Sequence, residues 1–208
     1  MTAAARRRPF YLVLALLAAM GSGACGAHQG WLEFVEYHGD VDPSSPDLAF
    51  ASTDDRAIIV ERARACLAAL DGVKTWGWPL AAAAIVLGSA MFVFAVRSLA
   101  GNRGARRMLV QIVIAQAALN MAQHWVLRGL FEPELALEEA KTAALARANM
   151  PELSDPEART ASAGAMVRAI YPFSLAAEAL GSALIVLALT RRRTREFFDA
   201  SGEALEER

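Results

Sequence analysis

Several residue types and motifs are scarce or missing in this chain of 208 residues. It has two lysines and three histidines, and the histidines lie too far apart in sequence to indicate a zinc site. It lacks the phosphate-binding GxxxxGK[ST] loop, the HExxH helix and the GxSxG nucleophile turn. It also lacks a basic stretch with interleaved aromatic residues, which is typical of nucleic-acid-binding proteins. The sequence therefore predicts a protein that is not an enzyme, has no cofactor or metal, and binds no nucleic acid.

Four apolar segments of 19 to 21 residues dominate the sequence. They are residues 9–27, 78–96, 108–127 and 170–190. A helix rises about 1.5 Å per residue, so each segment is long enough to cross a bilayer core of about 30 Å. The predicted fold class is an all-α integral membrane protein with four transmembrane helices.

The distribution of charge predicts the orientation of these helices. Eleven of the 21 basic residues lie before the first segment, between the second and third, or after the fourth. The connections 28–77 and 131–169 hold 16 of the 22 acidic residues but only eight basic ones. Basic residues collect on the cytoplasmic side of membrane helices, so we expect both termini in the cytoplasm and both connections outside. Arginine outnumbers lysine and alanine is abundant, which is typical of a GC-rich bacterial genome and indicates the bacterial inner (plasma) membrane.

The first segment fits two interpretations. Arg6–Arg8, the apolar run after them and the small residues before Cys25 resemble a signal peptide with a cleavage site or a poor lipobox. The alternative, which we favour, is a retained helix. Under both interpretations Cys25 and Cys66 lie outside, where they either form a disulfide or stay free thiols.

The chain contains an internal duplication. Residues 78–96 and 171–189 are identical at nine of 19 positions without a gap, and share a proline and a Leu-Gly-Ser-Ala run. A weaker match relates the first and third segments, so residues 6–97 and 106–191 are predicted to be tandem helix-hairpin repeats of parallel orientation. Small residues in the shared run are expected to let helices pack closely. They are Gly88, Ser89, Gly181 and Ser182.

Residues 1–195 are predicted to form a single four-helix membrane domain, and residues 196–208 a cytoplasmic tail with a frayed end. Both outer connections are predicted to be largely helical. One helix would run from Thr53 to Asp71 and stop at Gly72. A second would start at Pro133 and end near residue 150, and a third would follow the capping sequence Ser154–Glu157 into the fourth segment.

Glu178 is the only carboxylate inside the four segments. Such a group is costly in lipid and is a candidate functional residue. Glu178 and Asn120 each lie seven residues from the outer end of their segments, hence at the same depth. The complete predicted intramembrane polar cluster is Glu178, Ser174, Ser182, Gln116, Asn120, Gln123 and His124.

Two interpretations of this cluster follow. It can hold helices together through hydrogen bonds, or Glu178 and His124 can bind a cation, move a proton or bind a ligand. The first favours an accessory subunit, sensor or scaffold with an extracytoplasmic helical cap, and the second a small transporter or channel component that also uses Asn120. The expected partners are the lipid bilayer and either further copies of the chain or another membrane protein.

A second acidic group follows the first segment. Its five members are close enough in sequence to suggest a divalent cation site, but their spacing matches no known loop, so we expect a solvated acidic turn. They are Glu33, Glu36, His38, Asp40 and Asp42.

Overall fold

The computed structural model describes residues 8–39, 51–149 and 156–206, and every regular element in these ranges is an α-helix. The all-α prediction is therefore confirmed for the described residues. Two of the helices, α1 and α2, are long and apolar enough to cross a membrane, and Leu175–Thr190 is a shorter apolar stretch of α5. The helices are α1 (Phe10–His38), α2 (Thr53–Leu99), α3 (Arg103–Val126), α4 (Arg128–Asn149), α5 (Pro156–Thr190) and α6 (Arg192–Glu206).

The chain divides into two compact units. Unit 1 comprises Met1–Glu33, Leu80–Ala122 and Ala177–Arg208, and unit 2 comprises Phe34–Pro79 and Gln123–Ala176. The helices α1, α2, α3 and α5 each contribute one section to each unit.

The core of unit 1 is apolar and is drawn from five helices. Its largest fully buried side chains include Leu16 of α1, Leu109 of α3, Leu189 of α5 and Phe198 of α6. From α2 it takes Met91 and alanines, whose small side chains let neighbouring backbones come close.

Within unit 1, the backbones of α1 and α2 approach each other closely. A Cβ built on Gly88 would lie 2.5 Å from the amide nitrogen of Ala27 and 2.7 Å from the carbonyl oxygen of Gly23. One turn after Ala27 in α1, a Cβ on Gly30 would lie 2.9 Å from the carbonyl oxygen of Ala81 in α2. Only glycine fits at such distances, so this helix pair depends on the absence of side chains.

Unit 2 is held by a small apolar cluster and by ion pairs. Ile59 of α2 and Ala144 of α4 are buried together in it. The helix α2 begins with Ser52 as its N-cap, because Ser52 Oγ accepts from the Asp55 amide at 3.2 Å and donates to the Asp55 carboxylate at 2.8 Å. Asp55 also pairs with Arg147 of α4, and these contacts lower its pKa, the hydrogen bond from Ser52 having the largest effect.

Several predicted element boundaries are wrong. The helix expected to stop at Gly72 continues through Gly72 and Pro79 to Leu99. A glycine stop requires a left-handed backbone, and among the described glycines only Gly101, between α2 and α3, has a positive φ. The helix expected to start at Pro133 begins at Arg128 and contains the proline.

The predicted acidic turn and the predicted C-terminal tail also differ from expectation. The helix α1 extends to His38, so Glu33 and Glu36 lie on a helix and not in an acidic turn. Asp40 and Asp42 lie outside the described residues, as do Ser154 and Asp155 of the predicted cap. The expected frayed tail is instead helical as far as Glu206.

Candidate functional site

Three polar side chains form a continuous hydrogen-bonded chain in unit 1. The Gln116 Nε2 amide donates to Asn120 Oδ1 at 3.0 Å, and Asn120 Nδ2 donates to Glu178 Oε2 at 3.0 Å. Gln116 and Asn120 are four residues apart and therefore neighbours on one face of α3, whereas Glu178 lies on α5. These hydrogen bonds connect α3 with α5 through Asn120 and Glu178, while the depth of the two residues in a membrane stays a prediction.

The two ends of this chain differ in burial. Gln116 is 8% exposed, and its Oε1 atom is buried without a hydrogen-bond partner. A Cβ on Gly26 of α1 would lie 3.6 Å from Gln116 Nε2, so α1 passes directly beside this amide. Glu178, at the other end, is exposed. The site is a polar connection that starts in the interior of unit 1 and reaches its surface.

The other four predicted members also lie on α3 and α5. Ser182 is half-buried on α5, while the side chain of Ser174 lies outside the described part. Gln123 and His124 belong to the section of α3 in unit 2, and each has an interaction of its own. The structure thus gives Glu178 an amide partner, and the Glu178–His124 pair stays a prediction.

The chemistry available to the connected residues is limited. Both donors are amides, whose N–H groups exchange protons far less readily than hydroxyl, imidazole or carboxyl groups. The hydrogen bonds therefore hold the Glu178 carboxylate in position but provide no route for a proton along the chain. An anchored carboxylate at the surface of the unit can still attract a cation.

The two repeated glycines have different surroundings. Gly88 is buried against the α1 backbone, whereas a Cβ on Gly181 would meet nothing within 4 Å. Ser89 is exposed and Ser182 half-buried. The close packing predicted for the shared run therefore occurs at Gly88, and Gly181 has no such contact.

Both cysteines are free thiols, so the alternative of a disulfide is not realised. Cys25 is exposed on α1 and Cys66 is half-buried on α2. Burial raises the pKa of the Cys66 thiol, and the nearby carboxylates of Glu134 and Glu36 raise it further. A thiol in this environment is a poor nucleophile at neutral pH.

A second polar site, which the sequence did not indicate, surrounds Arg106 near the start of α3. Its side chain is buried in unit 1, where Nη1 donates to the Leu189 carbonyl oxygen at 2.9 Å. Its guanidinium carbon lies 5.7 Å from the centre of the Phe198 ring. The apolar pair Phe197-Phe198 in a polar tail was the available signal that the tail would pack.

Among the described residues, no three histidine, cysteine or acidic side chains are grouped so that they could hold a metal ion. Comparison with known proteins gave no match to a protein family, to a characterised protein or to a solved structure. The features of the molecule that bear on its function are therefore the two polar sites and the surface that surrounds them.

Proposed function

We propose that this chain is a non-enzymatic protein of the bacterial inner membrane with four transmembrane helices. It serves as an accessory subunit, sensor or scaffold, and the helical connections 28–77 and 131–169 form a cap outside the membrane. Both termini lie in the cytoplasm, and the two helical hairpins derive from a duplicated unit.

The observation that carries this proposal is the apolar surface of unit 1. Large aliphatic side chains on each of its four long helices are between 50% and 66% exposed: Leu17 of α1, Val86 of α2, Ile114 of α3 and Leu187 of α5. In α1 and in α2, only 28% of the most apolar stretch of 18 residues is buried. Soluble monomers rarely expose extended apolar surface, whereas lipid covers such a surface at no cost.

The interior of unit 1 supports the same conclusion. Its described buried residues include Ser98, Arg106, Gln116 and Thr194. A polar group inside a membrane bundle avoids hydrocarbon, and hydrogen bonds between helices contribute about 0.6–2 kcal/mol each. The Gln116–Asn120–Glu178 chain is such a contact, which favours a structural role for Glu178.

A transport or channel role is the second candidate, and one observation favours it. The Glu178 carboxylate is exposed on a segment that the proposal places in the membrane. A carboxylate near the bilayer centre is costly and is usually retained for function. Transport by a bundle of only four helices would require several copies or a partner protein.

Replacing Glu178 separates the two candidates. Glu178→Leu leaves Asn120 Nδ2 without its acceptor, so the scaffold role predicts a lower melting temperature in neutral detergent, by about 1 kcal/mol of unfolding free energy. Glu178→Gln, which keeps an acceptor oxygen, should lie between wild type and the leucine variant. Ala179→Leu, at the exposed neighbouring position of α5, is the matched control.

The opposite result would favour transport. If Glu178→Leu melts higher than wild type, the carboxylate is retained at a cost in stability, as functional residues commonly are. Membrane residence is tested separately by extraction of cell membranes with alkaline carbonate. Recovery of the protein in the soluble fraction would contradict the proposal as a whole.

A further inference from the structure

Four arginines and one aspartate form a compact charged group in unit 1, where α3 and α6 begin. Arg106 lies close enough to Arg103, Arg107, Arg195 and Asp199 to interact with each of them electrostatically. Asp199 is paired with Arg103, whose Nε lies 3.0 Å from Asp199 Oδ1. Among the described side chains, this group holds four positive charges and one negative charge, and the negative charge is already paired.

Within the part of the chain that the structure describes, no carboxylate contacts the buried member of this group. Arg106 is 8% exposed, its Nη1 donates to a neutral carbonyl, and its Nε is buried without a hydrogen-bond partner. Burial lowers the pKa of Arg106 and the three neighbouring arginines lower it further, while Asp199 opposes them. Arginine nevertheless stays charged under all physiological conditions, so a positive charge is buried here and is compensated only in part by the Phe198 ring and by Asp199.

The accessible members can contact a ligand directly. Arg107 and Arg195 are exposed, and half of the Arg103 side chain is exposed. Guanidinium groups bind phosphate oxygens with paired hydrogen bonds. Immediately beside Arg107, Met108 is 45% exposed and begins the apolar surface of α3. A ligand here would meet positive charge at one end and an apolar surface at the other.

We propose that Arg103, Arg107 and Arg195, with Arg106 beneath them, bind the phosphate group of an anionic phospholipid. The lipid headgroup contacts the three accessible guanidinium groups, and its acyl chain lies along the exposed apolar face of α3. The lipid as the source of the phosphate rests on the proposed membrane location. The excess of three positive charges explains why an anionic lipid is preferred to a zwitterionic one.

Titration of phosphatidylglycerol into the purified full chain in neutral detergent tests this proposal, with the melting temperature as readout. The double variant Arg107→Gln/Arg195→Gln removes two contacts and leaves the Arg103–Asp199 pair intact. A basic residue near a membrane surface contributes about fivefold to lipid affinity, so we expect binding roughly 25-fold weaker. The control is Arg62→Gln/Arg64→Gln, which removes two exposed arginines from α2 in unit 2 and should bind like wild type.

Three outcomes would overturn the proposal. Phosphatidylcholine that stabilises as well as phosphatidylglycerol would show that the charge is not recognised. Inorganic phosphate that competes at equal concentration would identify a free anion as the ligand. Equal loss of lipid binding in both double variants would make the effect one of net charge. Because every measurement is made in detergent, recovery of the protein in the soluble fraction after alkaline carbonate treatment would contradict the proposed function without changing these results.

Discussion

At the scale of single residues, Gly88 and Gly181 show that the same short sequence can have opposite surroundings. Both follow leucine and precede serine and alanine, yet only Gly88 contacts a neighbouring backbone. In the alignment of the first and third segments, Gly23 of α1 corresponds to Ala122 of α3. Gly88 lies against the carbonyl oxygen of Gly23. The alanine at the corresponding position of α3 is consistent with the lack of a close backbone contact at Gly181.

This difference gives a prediction. Gly88→Leu should destabilise the chain by about 3 kcal/mol or more, because its Cβ would lie 2.5 Å from the Ala27 backbone, which cannot move aside like a flexible side chain. Gly181→Leu should be neutral or stabilising by up to about 1 kcal/mol, since leucine favours helix and meets no obstacle. Melting temperatures in detergent provide the measurement. Gly21→Leu, at another open glycine, is the control, and equal destabilisation at positions 88 and 181 would contradict this account.

Part of the candidate site could be predicted from the sequence, and the reasons are physical. The depth of a residue in a straight helix follows from counting, so Asn120 and Glu178 could be matched from sequence. The contact of Gln116 with α1 could not, because it depends on how closely the Gly26 surface approaches α3. The burial of Arg106 could not be predicted either, because the sequence does not show that α6 covers this side chain.

At the scale of elements, α6 is a helix that was not predicted from the sequence. Its largely polar composition indicated a solvated terminus, but Phe198 is fully buried in the core of unit 1 with Leu189 and Leu109. A Thr194 contact adds to this anchoring, because its hydroxyl lies 3.1 Å from that of Tyr11 on α1. Two anchoring residues one turn apart hold a short helix whose other residues are largely polar.

Truncation of Phe198 tests whether α6 belongs to the stable unit. Phe198→Ala should lower stability by about 3–5 kcal/mol, as expected for a fully buried phenylalanine. Phe10→Ala, where the ring is 76% exposed, should change it by less than about 0.5 kcal/mol. Thermal unfolding of both variants in one detergent gives the comparison. A Phe198→Ala variant that melts like wild type would mean that α6 is not part of the folded unit.

The continuous helix α2 shows a second limit of sequence analysis. Gly72 and Pro79 are both helix-breaking residues in water, and the sequence places them near a predicted membrane boundary. Pro79 lies in the predicted segment 78–96, where proline is tolerated when neighbouring groups satisfy the freed backbone atoms. Gly72 lies before that segment, and one glycine costs a helix only about 1 kcal/mol. Local residue preference therefore predicted a stop that the structure does not have.

At the scale of the whole molecule, apolar side chains and charges are separated along the helices. Unit 1 has an apolar surface with arginines where α3 and α6 begin, and unit 2 carries ion pairs such as Arg147–Asp55 and Arg168–Glu139. The helical class and the apolar segments were evident from composition and periodicity. The division into two units was not, because it depends on contacts between distant parts of the chain.

The central claim is that the four apolar segments cross the membrane and leave both long connections outside. Labelling of single cysteines with an impermeant maleimide tests it most directly, in a chain carrying Cys25→Ser and Cys66→Ser. Cysteine at Glu61 or Glu138 should react in intact cells, whereas cysteine at Asn102 or Arg193 should react only after the membrane is opened. All four positions are exposed in the folded chain, so protein burial does not determine the result. Reaction of Asn102→Cys and Glu61→Cys from the same side would contradict the claim, because residues 78–96 would then not cross.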